Sequence, residues 1–283
     1  MFIHDTVTDF TDNYLPTIDH LKKYYEKHAS HFEEYFRYHC HNVDEKMKMA
    51  IPKHQENISM LIEIKDKMPK LISDIARDYE QMYDITFTKD VHLIVGLYGS
   101  NAFTYRQIIP EIAFCLEKLS PEDRHLQIII AHEFGHALHH LLSEKRGIDW
   151  ETVDWESPFT WLLQEGIATY FSTKVVSART DEYFAFQEDL EWITFATNNK
   201  QIIMEEFLSD ITSLNARAVF LEWFSINGGK RFGINRLAYF IAYELIQSCL
   251  QELAELNVIT LWRDVNYKDI IYQQLTIMAK KNG

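Results

Sequence analysis

The 283-residue chain is short of the residues that break helices and of those that cross-link loops, with 9 glycines, 6 prolines and 3 cysteines. Few glycines and prolines exclude a loop-rich or low-complexity architecture and favour long helices with short connections. Cys40, Cys115 and Cys249 are odd in number, far apart and without CxxC spacing. They exclude a disulfide framework and a cysteine zinc site, and read as three idle thiols. Positive charge is scarce, 28 Lys and Arg against 42 Asp and Glu, for a net charge of −14. That balance argues against nucleic acid or an anionic membrane as a partner. Long apolar runs are missing too. The most apolar stretch of the C-terminal part, Leu237 to Ile246, is broken by Glu244 and is too short to span a bilayer. The start, Met1-Phe-Ile-His-Asp-Thr, has no basic n-region and no apolar h-region. No signal peptide is read, and a cytoplasmic protein is expected.

What the chain does have is hydrophobic residues, 47%, and aromatics, 14%, enough for a substantial core. Residues from about Leu15 to Tyr83 carry apolar side chains at helical spacing, with Pro52 and Pro69 expected to start or kink helices. The histidines of this stretch, His20, His28, His31, His39 and His41, lack a spaced set of further ligands and read as solvated helix faces. From 85 to 118 the texture turns to β. Ile85-Thr-Phe-Thr alternates, Val91 to Val95 is β-branched and stopped by Gly96, and Tyr105 to Phe114 offers a further strand or two around Pro110. A small, mainly antiparallel sheet is expected here. Ser120-Pro121-Glu122-Asp123 and Ser157-Pro158 are helix starts, and the chain reads as mostly helical to the end, apart from a loop at Asn227-Gly228-Gly229.

The helix opened at Ser120 contains His132-Glu133-Phe134-Gly135-His136 and ends at Lys145-Arg146-Gly147. Two histidines four apart on a helix project from one face, where both imidazoles reach one Zn²⁺, and the glutamate beside the first reaches a water. A catalytic zinc wants three protein ligands and an open position. The third candidate is Glu165, 29 residues after His136 on the next helix. Gly166 and Ala168 beside it are small, which would let that helix come close to the HExxH helix. His139 and His140 follow the motif, but His140 lies one further turn, about 5.4 Å, along the axis. Both are read as non-ligands.

His132-Glu-Phe-Gly-His136 followed by Glu165-Gly-Ile-Ala-Thr-Tyr-Phe resembles the gluzincin metallopeptidases. More narrowly it resembles the bacterial DUF2268 family of zinc-dependent proteases, a likeness also carried by the Val91–Gly96 segment and by Ala238-Tyr239-Phe-Ile-Ala242-Tyr243. The likeness covers roughly residues 85–250. It implies an α+β, mostly helical fold with a zincin-like core, its small mainly antiparallel sheet packed on the HExxH helix. The chain itself is read as an N-terminal helical region at 1–84 and a zincin-like metallopeptidase region at 85–283, together one compact unit. The likeness implies peptide-bond hydrolysis with zinc held by His132, His136 and Glu165, Glu133 as general base, and Tyr239 or Tyr243 as oxyanion donor. It also implies a peptide or protein substrate laid as an extended strand along an exposed sheet edge, with Val91–Gly96 as that strand and Gly99 to Ala102 offering backbone groups. One departure is Thr169, where thermolysin-like gluzincins carry an Asp that orients the first histidine; Asp149, Glu151, Asp154 and Glu156 are the acids near enough in sequence to replace it. The same residues suit a metallohydrolase of non-peptide amides or esters, or a zinc-binding regulatory protein without catalysis. Glu133, which a structural site has no use for, weighs against the last.

Overall fold

The computed structural model describes residues 1–280; the last three residues of the expected 85–283 region lie outside them. The fold is mostly helical with one small mixed sheet, an α+β protein. Four strands, β1 (Ile3–Asp5), β2 (Val91–Ile94), β3 (Ala102–Thr104) and β4 (Ile112–Cys115), lie in the order β1-β2-β4-β3. The helices are α1 (Val7–Asp12), α2 (Ile18–Lys27), α3 (Ala29–Glu34), α4 (Val43–Tyr83), α5 (Asp123–Lys145), α6 (Pro158–Val175), α7 (Thr180–Ala185), α8 (Leu190–Asn198), α9 (Lys200–Ser213), α10 (Ala216–Val219), α11 (Leu237–Leu250), α12 (Glu255–Ile259) and α13 (Tyr267–Lys280). A π-helical turn, Tyr35–His39, continues α3, and a second, Phe220–Phe224, continues α10. The chain divides within α5 into two compact units, one up to Ala137 and one from Leu138. No helix among the described residues is long and apolar enough to cross a membrane.

The sheet differs from the expected antiparallel one. β1 pairs with β2 and β2 with β4 in parallel; only β3 and β4 are antiparallel. The reason is β1. Three residues at the N-terminus join a strand almost 90 positions on, His4 opposite His92, and that long crossover permits parallel pairing where a hairpin cannot. Ile85-Thr-Phe-Thr forms no strand; Phe87 instead donates its N–H to Glu80 Oε1 at 2.8 Å and packs edge-on against Phe134. Pro52 and Pro69 interrupt nothing, since both lie inside the 41-residue α4. All three cysteines are buried and free.

The first unit buries polar groups as well as apolar ones. The loop after β2 gives four consecutive backbone N–H groups to two buried side chains. Gly96 and Tyr98 donate to the Glu117 carboxylate at 2.8 and 3.1 Å, and Leu97 and Gly99 donate to Tyr35 Oη at 2.7 and 3.0 Å. Burial pushes the Glu117 carboxyl up to about 7, and the Gly96 N–H works against that rise. A Cβ at Gly96 would stand 2.5 Å from Tyr35 Oη, which is why this position carries none.

In the second unit the decisive crossing is α6 on α11. Gly166 faces α11, not the HExxH helix that its smallness was expected to accommodate: a Cβ there would lie 2.4 Å from the Ala242 carbonyl oxygen and 2.8 Å from Ile246 Cγ1. Backbone cannot yield as a flexible side chain can, so overpacking at this point costs about 3 kcal/mol, the upper part of the usual range. Gly166→Ala is expected to lower the melting temperature by roughly 6–12 °C, read by thermal unfolding. A variant as stable as the parent would show that the two helices are not in backbone contact.

Candidate metal centre

Helix α5 begins where Ser120 Oγ accepts the Glu122 N–H at 3.2 Å, and the motif lies in its middle. Its rotation within the first unit is fixed on both sides of the histidines. Tyr79 Oη donates to the Ala131 carbonyl at 3.0 Å, and the buried Phe134 ring meets Phe87 at 4.8 Å between ring centres. With those positions turned inward, His132 and His136 share one face, their ring centres 4.8 Å apart and their planes at 89°. His132 and Glu133 are buried.

Helix α6 is set by Ser157, whose Oγ accepts the Phe159 N–H at 3.3 Å, and by Pro158 at the first turn. Glu165 lies on it beside the Gly166 crossing. His132, His136 and Glu165 each offer one ligand atom, and the three atoms lie within 4.8 Å of one another; it is the one such grouping of three or more His, Cys, Asp or Glu among the described residues. Two imidazoles and a carboxylate are the donor set of a catalytic zinc, whose tetrahedral ligands stand roughly 3.4 Å apart at about 2.1 Å from the ion. One turn after Glu165, the Thr169 hydroxyl is buried without a hydrogen-bond partner. An unsatisfied polar atom there fits a site built to hold something more.

The other residues singled out in the sequence fall as follows. His139 is buried flat against Trp262, ring centres 3.9 Å apart, and His140 packs among Trp150, Trp155 and Trp262. Both pack against tryptophan rings. Of the loop acids, Asp149 accepts the Glu151 N–H at 3.1 Å, Asp154 pairs with Lys268 at 2.9 Å, and Glu151 and Glu156 are exposed. Tyr239 and Tyr243 are both half-buried on α11. Arg236 lies over the Tyr239 ring at 4.3 Å. The Tyr243 hydroxyl, pushed up by burial, is bonded to Thr173, eight residues and so about 12 Å along α6 from Glu165.

Two readings of the substrate side are corrected. β2 is paired on both sides, so Val91–Gly96 has no edge to offer an extended peptide. The Gly99–Ala102 backbone is also engaged: Gly99 N–H goes to Tyr35, Ala102 N–H to Asn101 Oδ1 at 2.9 Å, and the Ala102 carbonyl accepts Ser100 Oγ at 2.9 Å. Of the N-terminal histidines, His41 is exposed, but His28, His31 and His39 are not solvated faces. His31 is hydrogen-bonded to His92, His28 to Asp9, and His39 stacks on Phe103 at 4.0 Å. Sequence reading missed His4, His92, Tyr35 and Glu117 because each finds its partner far along the chain.

No protein-family model, curated protein or solved structure matches the chain. The test of the centre is therefore direct. Metal analysis after zinc reconstitution is expected to give one zinc per chain. Glu165→Ala is expected to weaken zinc by more than the roughly 10–100-fold typical of a lost supporting partner. Unchanged affinity would remove Glu165 from the ligand set.

Proposed function

We propose that this chain is a zinc-dependent metallopeptidase of gluzincin type. One observation carries the reading: His132, His136 and Glu165 group their ligand atoms, with the buried carboxylate of Glu133 next in sequence to the first histidine. A zinc ion held there supplies Lewis acidity toward water and toward a carbonyl. Glu133 takes the proton of the attacking water and passes it to the leaving amine. Its burial keeps competing water away and strengthens its charge interactions. Tyr239 and Tyr243, four apart on α11, are the two candidate oxyanion donors.

The substrate lies extended on an edge strand, and in this sheet the edges are β1 and β3. On β3, the Cys115 N–H to Asn101 carbonyl bond and the Tyr105 N–H to Glu111 carbonyl bond turn alternate residues toward β4. Ala102 and Thr104 therefore face outward. With Ala102 capped by its neighbours, Thr104 is where a peptide main chain pairs.

Glu133→Gln is expected to lower kcat by about 10²–10⁴-fold, the worth of a positioned base, with zinc content unchanged; full peptide hydrolysis by the variant removes the base from the mechanism. Tyr→Phe at one of the two, Tyr239 or Tyr243, should lower kcat about 10²-fold with little change in KM. Full kcat in both Tyr239→Phe and Tyr243→Phe would remove this helix from the oxyanion site.

A further inference from the structure

Three histidines meet on one face of the sheet, away from the metal centre in sequence. His4 on β1, His92 on β2 and His31 on α3 have ring centres 5.0 to 5.1 Å apart. They are not among the groups that could hold a metal, and four of their six ring nitrogens are committed to hydrogen bonds. His92 Nε2 lies 2.8 Å from Glu111 Oε2, His31 Nδ1 lies 2.8 Å from His92 Nδ1, and His4 Nε2 lies 3.0 Å from Asp90 Oδ2.

These contacts fix the protons. An ionised Glu111 only accepts, so His92 carries its proton on Nε2 and has a lone pair on Nδ1. His31 then donates from Nδ1. The chain from His31 through His92 to Glu111 is complete with both imidazoles neutral. One added proton is tolerated, because an imidazolium and a neutral imidazole still share one N–H···N bond. A second puts protons on both Nδ1 atoms, and the 2.8 Å contact becomes a clash between two donors and two cations.

We propose that the His31–His92 contact, with His4 beside it, is an acid-sensitive latch that holds α3 and the π-helical turn after it on the sheet and releases them on a second proton. The surroundings give the sign. His31 is pushed down to about 4, first by burial and then by His92, His4 and His28, with Glu111 opposing; His92 is lowered by burial, with Glu111 and Asp90 opposing. The other charged or titratable groups facing the cluster are Tyr105, whose ring lies 5.2 Å from His92, Glu34 beside Tyr105, and Asp9, already paired with Lys27 and His28. His31 and His92 thus sit below the ordinary value of 6.5 in the folded chain. Stability is present above that value and is lost as pH falls toward 4. Release has a reach beyond α3. Tyr35, on the same helical run, holds the N–H groups of Leu97 and Gly99, and His39 covers Phe103.

The test is hydrogen exchange by mass spectrometry on the full chain from pH 7.5 to 4.5, expressed as protection factors. Residues 28–39 should lose protection below about pH 6, before residues 60–80 of α4, with opening rising toward 100-fold per pH unit as two protons enter. His31→Asn keeps a donor and cannot titrate; its 28–39 segment should stay at least about tenfold better protected at pH 4.5. Glu111→Gln keeps an acceptor but loses the charge that steadies a proton on His92, so its opening should move to higher pH. The latch is overturned if 28–39 keeps its protection to pH 4.5, if it opens only together with 60–80, or if Glu111→Gln moves opening to lower pH or leaves it in place. Should His31→Asn not fold, the wild-type profile and the Glu111→Gln shift decide.

Discussion

The position of Glu165 depends on a contact made by its neighbour. Gly166 brings the backbone of α6 against the Ala242 carbonyl of α11, closer than any side chain would allow. That crossing fixes both the height and the rotation of α6, and so where the carboxylate one residue earlier points. The helix bears the cost of a mid-helix glycine, roughly 1 kcal/mol against alanine, for a geometry that alanine cannot reach. Tyr239 and Tyr243 come from the partner helix in the same crossing. Candidate ligand and candidate oxyanion donors are thus placed by one backbone contact.

Much of the metal centre was legible in the sequence because it is built from local rules. Helix starts at Ser120-Pro121 and Ser157-Pro158, a four-residue histidine spacing and a lone glutamate on the next helix need only chemistry within a turn or two. The sheet was not legible in the same way. β1 is three residues long, and its partner lies across α1 to α4, so no periodicity announces it. Parallel pairing is non-local by construction. The two prolines misled for the opposite reason: their local cost is real, but a 41-residue helix with a buried face including Leu61, Ile64, Met68 and Leu71 repays it.

The histidines of the first unit mark the same divide. Read along the chain, His28, His31 and His39 sit on polar-looking helices. In three dimensions their partners are Asp9, His92 and Phe103, each at least 19 positions away. Glu117 and Tyr35 carry this further. They take the place of a neighbouring strand or helix for the 96–99 loop, satisfying N–H groups that burial would otherwise leave unpaired. A carboxylate this deep is costly, and the Gly96 and Tyr98 N–H groups that it accepts offset part of that cost.

Ser100 and Asn101, which cap Ala102, bear on how the protein behaves at high concentration. An edge strand with open N–H and C=O groups is a template on which another chain can add a strand, and so a route to aggregation. Here β3 is three residues long, and one of its two outward positions is already bonded to the side chains just before it. One outward position leaves too little open backbone to seed a growing sheet.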